Sequence, residues 1–283
     1  MLINTPWAFG GVGIDGGFAI FALASGQATT NKYTYSSGAV AAATSLTSGM
    51  AVGAAVGNSS RGIFALGNSG MSTDKYTYTS GSVAAATALS GTLWSGTAAG
   101  NSTLGIFALS YNSTSGAPNT NKYIYSTDSV AAASNLTINI YYGAAAGNST
   151  LGIFAGSSSS PAFSAGKYTY SSDSVASATS FASYVGENGA AGNSSLGIFA
   201  ASNATTTQQY TYSSDAVAAG SNLSITYSSG AVAGNSTLGI FNAYTTSTNK
   251  YNYSSGAVSA GTNLTHGVNG GAAASNGTAG VNA

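Results

Sequence analysis

The chain has 283 residues, with six Lys and Arg against six Asp and Glu, one His, no Cys, and a formal net charge of zero at pH 7. Charged residues make up 4% of it, against roughly 25% in ordinary soluble domains. This argues against nucleic-acid binding through clustered cations and against polybasic attachment to anionic membranes; the absence of Cys excludes disulfides, thiolate metal sites and thiol nucleophiles.

The N-terminal "MLINTPWAFGG" lacks the basic n-region and apolar run of a signal peptide. The expectation is a chain that starts in the cytosol and reaches the outside by another route, such as lysis. No stretch approaches the 18 or more apolar residues of a membrane span. Solubility falls to Ser, Thr, Asn and Gly, a surface with little charge repulsion between copies, which permits assembly or a sugar coat. Regularly placed Ile, Phe, Tyr and Val set the chain apart from a disordered one.

From there the sequence repeats itself. "GGVGIDGGFAIFAL" (10–23) aligns without gaps to "GAAVGNSSRGIFAL" (53–66), and the Phe of the Ile-Phe pair recurs at Phe21, Phe64, Phe107, Phe154, Phe199 and Phe241. The units lie near 8–52, 53–95, 96–142, 143–188, 189–230 and 231–270, with a partial copy at 271–283. A period in the forties belongs to propeller blades or helical-pair solenoids. Each unit holds four short segments: a ("GAAAGN", 143–148), b ("GIFA", 152–155), c ("KYTYSS", 32–37) and d ("AVAAATSL", 39–46). Segment c alternates Tyr with Thr or Ser, the period-two pattern of a strand, and b is short and β-branched or aromatic. "NST" or "NSS" between a and b, and "SSGA", "TSGS", "TDSV" or "SSDA" between c and d, are turn vocabulary. Segment d is Ala-rich and has a helical alternative, but eight residues starting at Val and bounded by turns favour a strand.

Four strands per unit predict an all-β chain, a single propeller domain over 1–283 built of four-stranded antiparallel blades. The partial copy "GAAASNGTAGVNA" (271–283) supplies segments a and b and then stops, while "MLINT" resembles the d-segment string "SNLTI" (134–138). Together they predict a seventh blade that closes the ring with N- and C-terminal strands. Six blades with a leftover a–b pair are the alternative.

The strings "GNSTLGIFA", "KYTYSS" and "VAAATSL" resemble kelch-like tandem repeats with "GN(S/T)..GYF" and "KIDYST(D/E)T" cores, found in tailed-phage and environmental bacterial proteins. The resemblance covers about residues 8–283. It departs from that pattern in reading "GIFA" for an aromatic-glycine run and in missing the paired glycines of kelch blades. It implies a propeller and a virion setting, and it carries over no catalytic residue.

Individual residues are weighed against the demands of the repeat. Lys32, Lys75, Lys122, Lys167 and Lys250 each precede Tyr-x-Tyr, with Gln209 in the remaining copy; they are expected to lay their stems over Tyr and keep their heads in water. Asp128, Asp173 and Asp215 stand where Gly38, Gly81 and Gly256 stand elsewhere, which marks a turn needing a left-handed or side-chain-bonded residue. One His (His266) and one Glu (Glu187) are too few for a triad, a paired-carboxylate glycosidase site or a histidine metal site. The expectation is no enzyme, no cofactor and no metal. The sequons at Asn58, Asn101, Asn148, Asn193 and Asn235 fall on the a–b turn, where Asn and Ser are favoured for backbone reasons alone.

Variation between copies carries the functional signal. In an antiparallel meander the a–b and c–d turns share one face, and the b–c and d–a loops share the other. The first set is nearly constant. The b–c loops differ: "GNSGMSTD" (67–74), "SYNSTSGAPNTN" (110–121) and "GSSSSPAFSAG" (156–166). The d–a loops carry Met50, Trp94, Tyr141, Tyr142, Phe181, Tyr184, Tyr227 and His266, each in only one or two copies. Aromatics among Ser, Asn and Gly suit adaptable recognition, sugar faces included; the competing role is to plug gaps between blades. The binding candidates are therefore Trp94, Tyr141, Tyr142, Phe181, Tyr184, Tyr227 and His266. The functional expectation is a structural or host-recognition component of a phage virion, a tail fibre or capsid decoration, contacting other virion or fibre proteins or a cell-surface glycan within a larger assembly. An extracellular bacterial fibre or coat subunit, glycosylated, and a lectin-like module are the alternatives.

Overall fold

The structure is a computed structural model, described here for residues 17–23, 26–67, 70–109, 119–156 and 163–277. Strands β1 (Phe18–Ala22), β2 (Thr30–Thr34) and β3 (Val40–Ala43) come first. Then follow β4 (Ala54–Gly57), β5 (Arg61–Ala65), β6 (Thr73–Thr77), β7 (Ser82–Ala85), β8 (Thr97–Gly100), β9 (Leu104–Ala108), β10 (Thr120–Ile124) and β11 (Ser129–Ala132). Next are β12 (Ala144–Gly147), β13 (Leu151–Ala155), β14 (Ala165–Thr169), β15 (Ser174–Ala178), β16 (Val185–Gly192), β17 (Leu196–Ala201), β18 (Thr207–Thr211) and β19 (Ala216–Ala219). The last are β20 (Ala231–Gly234), β21 (Leu238–Asn242), β22 (Thr248–Asn252), β23 (Val258–Ala260) and β24 (Ala272–Ser275). No helix occurs among the described residues, and segment d is a strand in every unit.

The strands form six four-stranded antiparallel sheets, five of them in simple sequence order, β4–β7 through β20–β23. The sixth has the order β24-β1-β2-β3, with Ala22 opposite Ala272 and Ala19 opposite Ser275. This corrects the expected blade number: the propeller has six blades, not seven. The last a segment does not begin another blade, because the inner edge of β1 pairs with it and blade 1 is thereby completed. Closure joins the C-terminal strand to the first described strand. The expected role of "MLINT", and the a segment assigned to residues 10–16, lie outside the described residues.

Alternation within "GIFA" dictates the core. Ile and Phe point to opposite faces of the blade, so Ile63 packs toward blade 3 with Leu89, Leu93, Phe107 and Tyr123, while Phe64 packs toward blade 1 with Ile20, Leu46 and Met50. Every junction repeats this layer, including the one between blades 6 and 1, where Ile240 and Val268 meet Phe21 and Tyr33. The core is thus six equivalent layers between blades. The Ala of segment a lines the axis, fully buried.

The second Tyr of segment c explains two recurrent glycines. Tyr170 lies 6% exposed, and its hydroxyl reaches inward across β13 to β12. A Cβ at Gly147 would stand 2.6 Å from that oxygen and one at Gly152 2.9 Å, so Gly at these two places leaves room for the phenol as it lies in this blade. In blade 1 the place of Gly147 is held by Ser275, which makes a 3.0 Å bond with the hydroxyl of Tyr35.

Removing β24 by ending the chain at Gly270 strips blade 1 of its inner strand. Three or four ladder hydrogen bonds at about 1 kcal/mol each amount to about 3 kcal/mol, or roughly 6–12 °C in melting temperature for a chain of this size. The bared edge of β1 also invites pairing between copies. Calorimetry and light scattering of the truncated chain should show a lowered transition and concentration-dependent aggregation.

Candidate functional site

On the a–b face the constancy of the repeat has a stereochemical cause. The Oδ1 of Asn148 accepts the backbone N–H of Thr150 at 2.8 Å and of Leu151 at 2.9 Å, closing the turn. Its Nδ2 donates to the carbonyl of Ser194 in the next blade at 3.2 Å. Asn58, Asn101 and Asn193 repeat the inter-blade bond, to Ser102, Ser149 and Ser236. The side-chain amide supplies both the acceptor and the donor. These Asn are also sequon positions. The nitrogen a glycan would occupy is the staple donor, and Asn101, Asn148 and Asn235 are buried or nearly so.

A second tier joins strand c to the preceding d–a loop. Asn121 accepts the N–H of Ser90 at 2.7 Å, Asn249 that of Ser224 at 2.7 Å, Asn31 that of Thr265 at 2.8 Å, and Asp74 that of Thr47 at 2.6 Å. A third tier lies outside. Lys75, Lys122 and Lys167 pair with Asp128, Asp173 and Asp215 of the following blade, the latter two at 2.7 and 2.8 Å. Their heads are therefore not simply in water, as the sequence alone suggested. Lys32 differs, standing 4.5 Å from the ring centroid of Phe18. The three Asp have φ of 51–52°, and Gly38, Gly81 and Gly256 have 66–67°, the left-handed turn expected from their alternation. Burial resists ionisation of Asp173, but Lys122, the N–H of Ser134 and the hydroxyl of Tyr168 outweigh it and hold its pKa at about 2. Asp215 is held at about 2 in the same way by Lys167, Thr179 and Tyr210.

The opposite face separates the aromatic candidates into two groups. Phe181 (3% exposed) takes the core position of Leu46, Leu89, Leu136, Leu223 and Leu264, packing on Phe199 with ring centroids 4.6 Å apart. Tyr227 (0% exposed) takes the position of Met50, Leu93, Ile140, Val185 and Val268, and its hydroxyl donates to the carbonyl of Glu187 at 2.9 Å. Both fill space between blades, as does Met50, so they are withdrawn as surface anchors. The four-residue spacing from Leu46 to Met50, repeated in each copy, carried that information.

Trp94, Tyr141, Tyr142 and Tyr184 are half-buried and His266 is exposed. Tyr141 and Tyr142 pack edge to face, 4.6 Å between centroids, and the hydroxyl of Tyr184 donates to the carbonyl of Tyr142 at 3.1 Å. The structure thus brings three of the candidates together at the junction of blades 3, 4 and 5. Trp94 holds the matching place one junction earlier, and His266 stands apart beside Thr265. Sequence reading missed Met71 and Tyr244, the two most exposed large hydrophobics among the described residues, at 45% and 58%. Both sit on b–c loops, whose differing length and content were noted without singling out either residue. Among the described residues no three His, Asp or Glu gather into a metal-binding group.

No protein-family model and no curated protein matches the sequence. Solved structures do resemble the fold. The structure of YjhT matches with a TM-score of 0.62 at 10% identity, over 77% of this chain and 85% of that one. The crystal structure of TolB from Acinetobacter baumannii matches with a TM-score of 0.61 at 12% identity, over 96% of this chain and 74% of that one. At such identities the likeness speaks for the β-propeller fold alone.

Two outcomes follow from the staples. Asn148→Asp keeps the turn acceptor and loses the donor, costing about 1 kcal/mol, whereas Asn148→Ala loses both and costs about 2 kcal/mol; urea denaturation separates them. Asp173 and Asp215 have pKa values depressed below the unfolded carboxylate, so their contribution is complete above about pH 4 and is lost as pH falls toward 2. The melting temperature should drop across that window, and the Asp173→Asn, Asp215→Asn double variant should flatten the drop.

Proposed function

We propose that the chain is a non-enzymatic recognition or structural module of a larger assembly, and that its contact surface is the face formed by the b–c and d–a loops. The observation that carries this reading is the asymmetry between the two faces. The a–b turns repeat because their Asn closes the turn and, at Asn58, Asn101, Asn148 and Asn193, staples a neighbour. The other face carries half-buried and exposed aromatics, Trp94, Tyr141, Tyr142, Tyr184 and Tyr244, that the repeat does not require. Large amphipathic rings on short loops are the anchors that interface energetics favours.

The non-enzymatic part rests on how the acids are spent. Among the described residues Asp74, Asp128, Asp173, Asp215 and Glu187 each accept a hydrogen bond from the scaffold. The virion setting rests on the repeat resemblance. For the glycosylated coat alternative, the stapled Asn amides weigh against attachment at the a–b turns.

The test is binding of purified bacterial surface polysaccharides and particle proteins to the immobilised chain. Trp94→Ala and Tyr141→Ala should each weaken capture by about 1–3 kcal/mol with little change in melting temperature. Ser149→Ala, on the a–b face, should leave capture unchanged. Loss of capture in the Ser149 variant, with the aromatic variants merely less stable, would assign the contact to the opposite face.

A further inference from the structure

Six residues occupy the same place in the repeat, just before strand a: Val52, Ser95, Tyr142, Glu187, Ser229 and Gly270. All have positive φ, between 43° and 68°. They line one recess, and since each blade junction contributes one, it lies where the junctions converge on the ring axis, on the loop face. Amide-to-carbonyl bonds run around it: Ser95 to Val52 at 3.2 Å, Glu187 to Tyr142 at 2.7 Å and Gly270 to Ser229 at 2.7 Å. Between Glu187 and Ser229 the pattern changes. The N–H of Ser229 donates to the Oε2 of Glu187 at 2.6 Å, while the carbonyl of Glu187 receives the hydroxyl of Tyr227. Strand β16 shifts register between Val185 and Ala190 to allow this. The single Glu of the chain is thus clamped at the axis.

Two features there bear on what the recess can hold. None of the three ion pairs among the described residues includes Glu187. Ser95 is 2% exposed, and its hydroxyl has no hydrogen-bond partner among the described residues. A partly buried carboxylate and an unpaired hydroxyl lining the same recess carry a desolvation cost that a donor-rich cation offsets.

We propose that this recess is a socket for a primary ammonium group, and that the group it receives is the ε-ammonium of a lysine on a partner protein. The cavity is about 10 Å³, room for about one water-sized group. A planar guanidinium or a sugar ring exceeds it, and one carboxylate without companions is a poor ligand set for a divalent ion. An ammonium has three donors, which suit the second oxygen of Glu187 and the hydroxyl of Ser95. The walls beside these groups are Val52, Gly96, Gly143 and Gly270, an apolar lining that the methylene stem of lysine covers. An amino sugar would instead set its neighbouring hydroxyls against those walls unpaired.

The experiment is calorimetric titration of the full chain with Nα-acetyl-lysine amide, its neutral norleucine analogue and glucosamine. The lysine amide should bind saturably with a Kd on the order of 1 mM, as expected for a small ligand making few contacts, and the norleucine analogue should not bind. Glu187→Gln keeps an acceptor for Ser229 and removes the charge; it should weaken the lysine amide at least about tenfold, equivalent to about 1.4 kcal/mol. Ser95→Ala should weaken it less. Absence of saturable binding at roughly 50 mM, a Kd scale beyond any useful affinity, overturns the proposal. So does equal binding by the Gln variant or the norleucine analogue, and tighter binding of glucosamine overturns the lysine as its source. The probe is small, so failure of the socket and failure of the loop-face reading are separate results.

Discussion

A blade of this protein cannot bury either of its faces alone. Its inner strands are short and Ala-rich, and its one large aliphatic and its aromatics point to opposite sides. All apolar burial therefore occurs between blades, and each junction is useful only if the next one exists. The C-terminal strand β24 satisfies that condition for the whole ring by giving blade 1 the inner strand it needs. The polar groups serve the same end. The Asn of the a–b turn, the Asn or Asp of strand c and the Lys–Asp pairs all bond to a neighbouring blade. With so little charge available, the chain directs three of its five lysines to contacts between blades that carry Asp partners.

Much of this was legible in the sequence because it is local. Tyr-x-Tyr alternation, the turn tetrads and the exchange of Asp for Gly in a left-handed turn depend on neighbours a few residues away, and the strands and turns agree with them. Blade number was not legible in the same way. Counting a and b segments cannot reveal that the seventh a segment pairs with β1, since that bond spans nearly the whole chain. Phe181 and Tyr227 read as surface aromatics for a related reason. Their positions hold Leu, Met, Ile or Val elsewhere, and only alignment four residues apart shows the shared core role. The inter-blade staples were hidden because they join residues in different copies, 25–53 apart within the chain and 234 apart where Asn31 meets Thr265 at the ring closure. One trace was present: Asp follows, one unit later, the copies whose Lys it binds, and the unit with Gln209 is followed by Gly256.

The same logic separates scaffold from function. Where the repeat is invariant, a bond or a close approach explains it, as at Asn148 and at Gly147 beneath Tyr170. Where it varies on the loop face, at Trp94, Tyr141 and Tyr142, no staple or core layer requires the side chain, while the hydroxyl of Tyr184 bonds the backbone of Tyr142. The axis joins the two regimes, because the six left-handed residues there are demanded by the turn into strand a while their side chains are free to differ. Glu187 is the one charge placed at that point.

Closure by β24 is the claim on which the rest depends, and the absence of native Cys allows a direct measurement. Ala22 and Ala272 face each other in the β1–β24 ladder. Replacing both with Cys and refolding under oxidising conditions should give a single intramolecular disulfide, detected by mass and by mobility on a denaturing gel, in a protein of unchanged fold. If that pair stays reduced while Cys at Ile3 captures Cys at Ala272, the C-terminal strand closes a different blade and the six-bladed ring is contradicted.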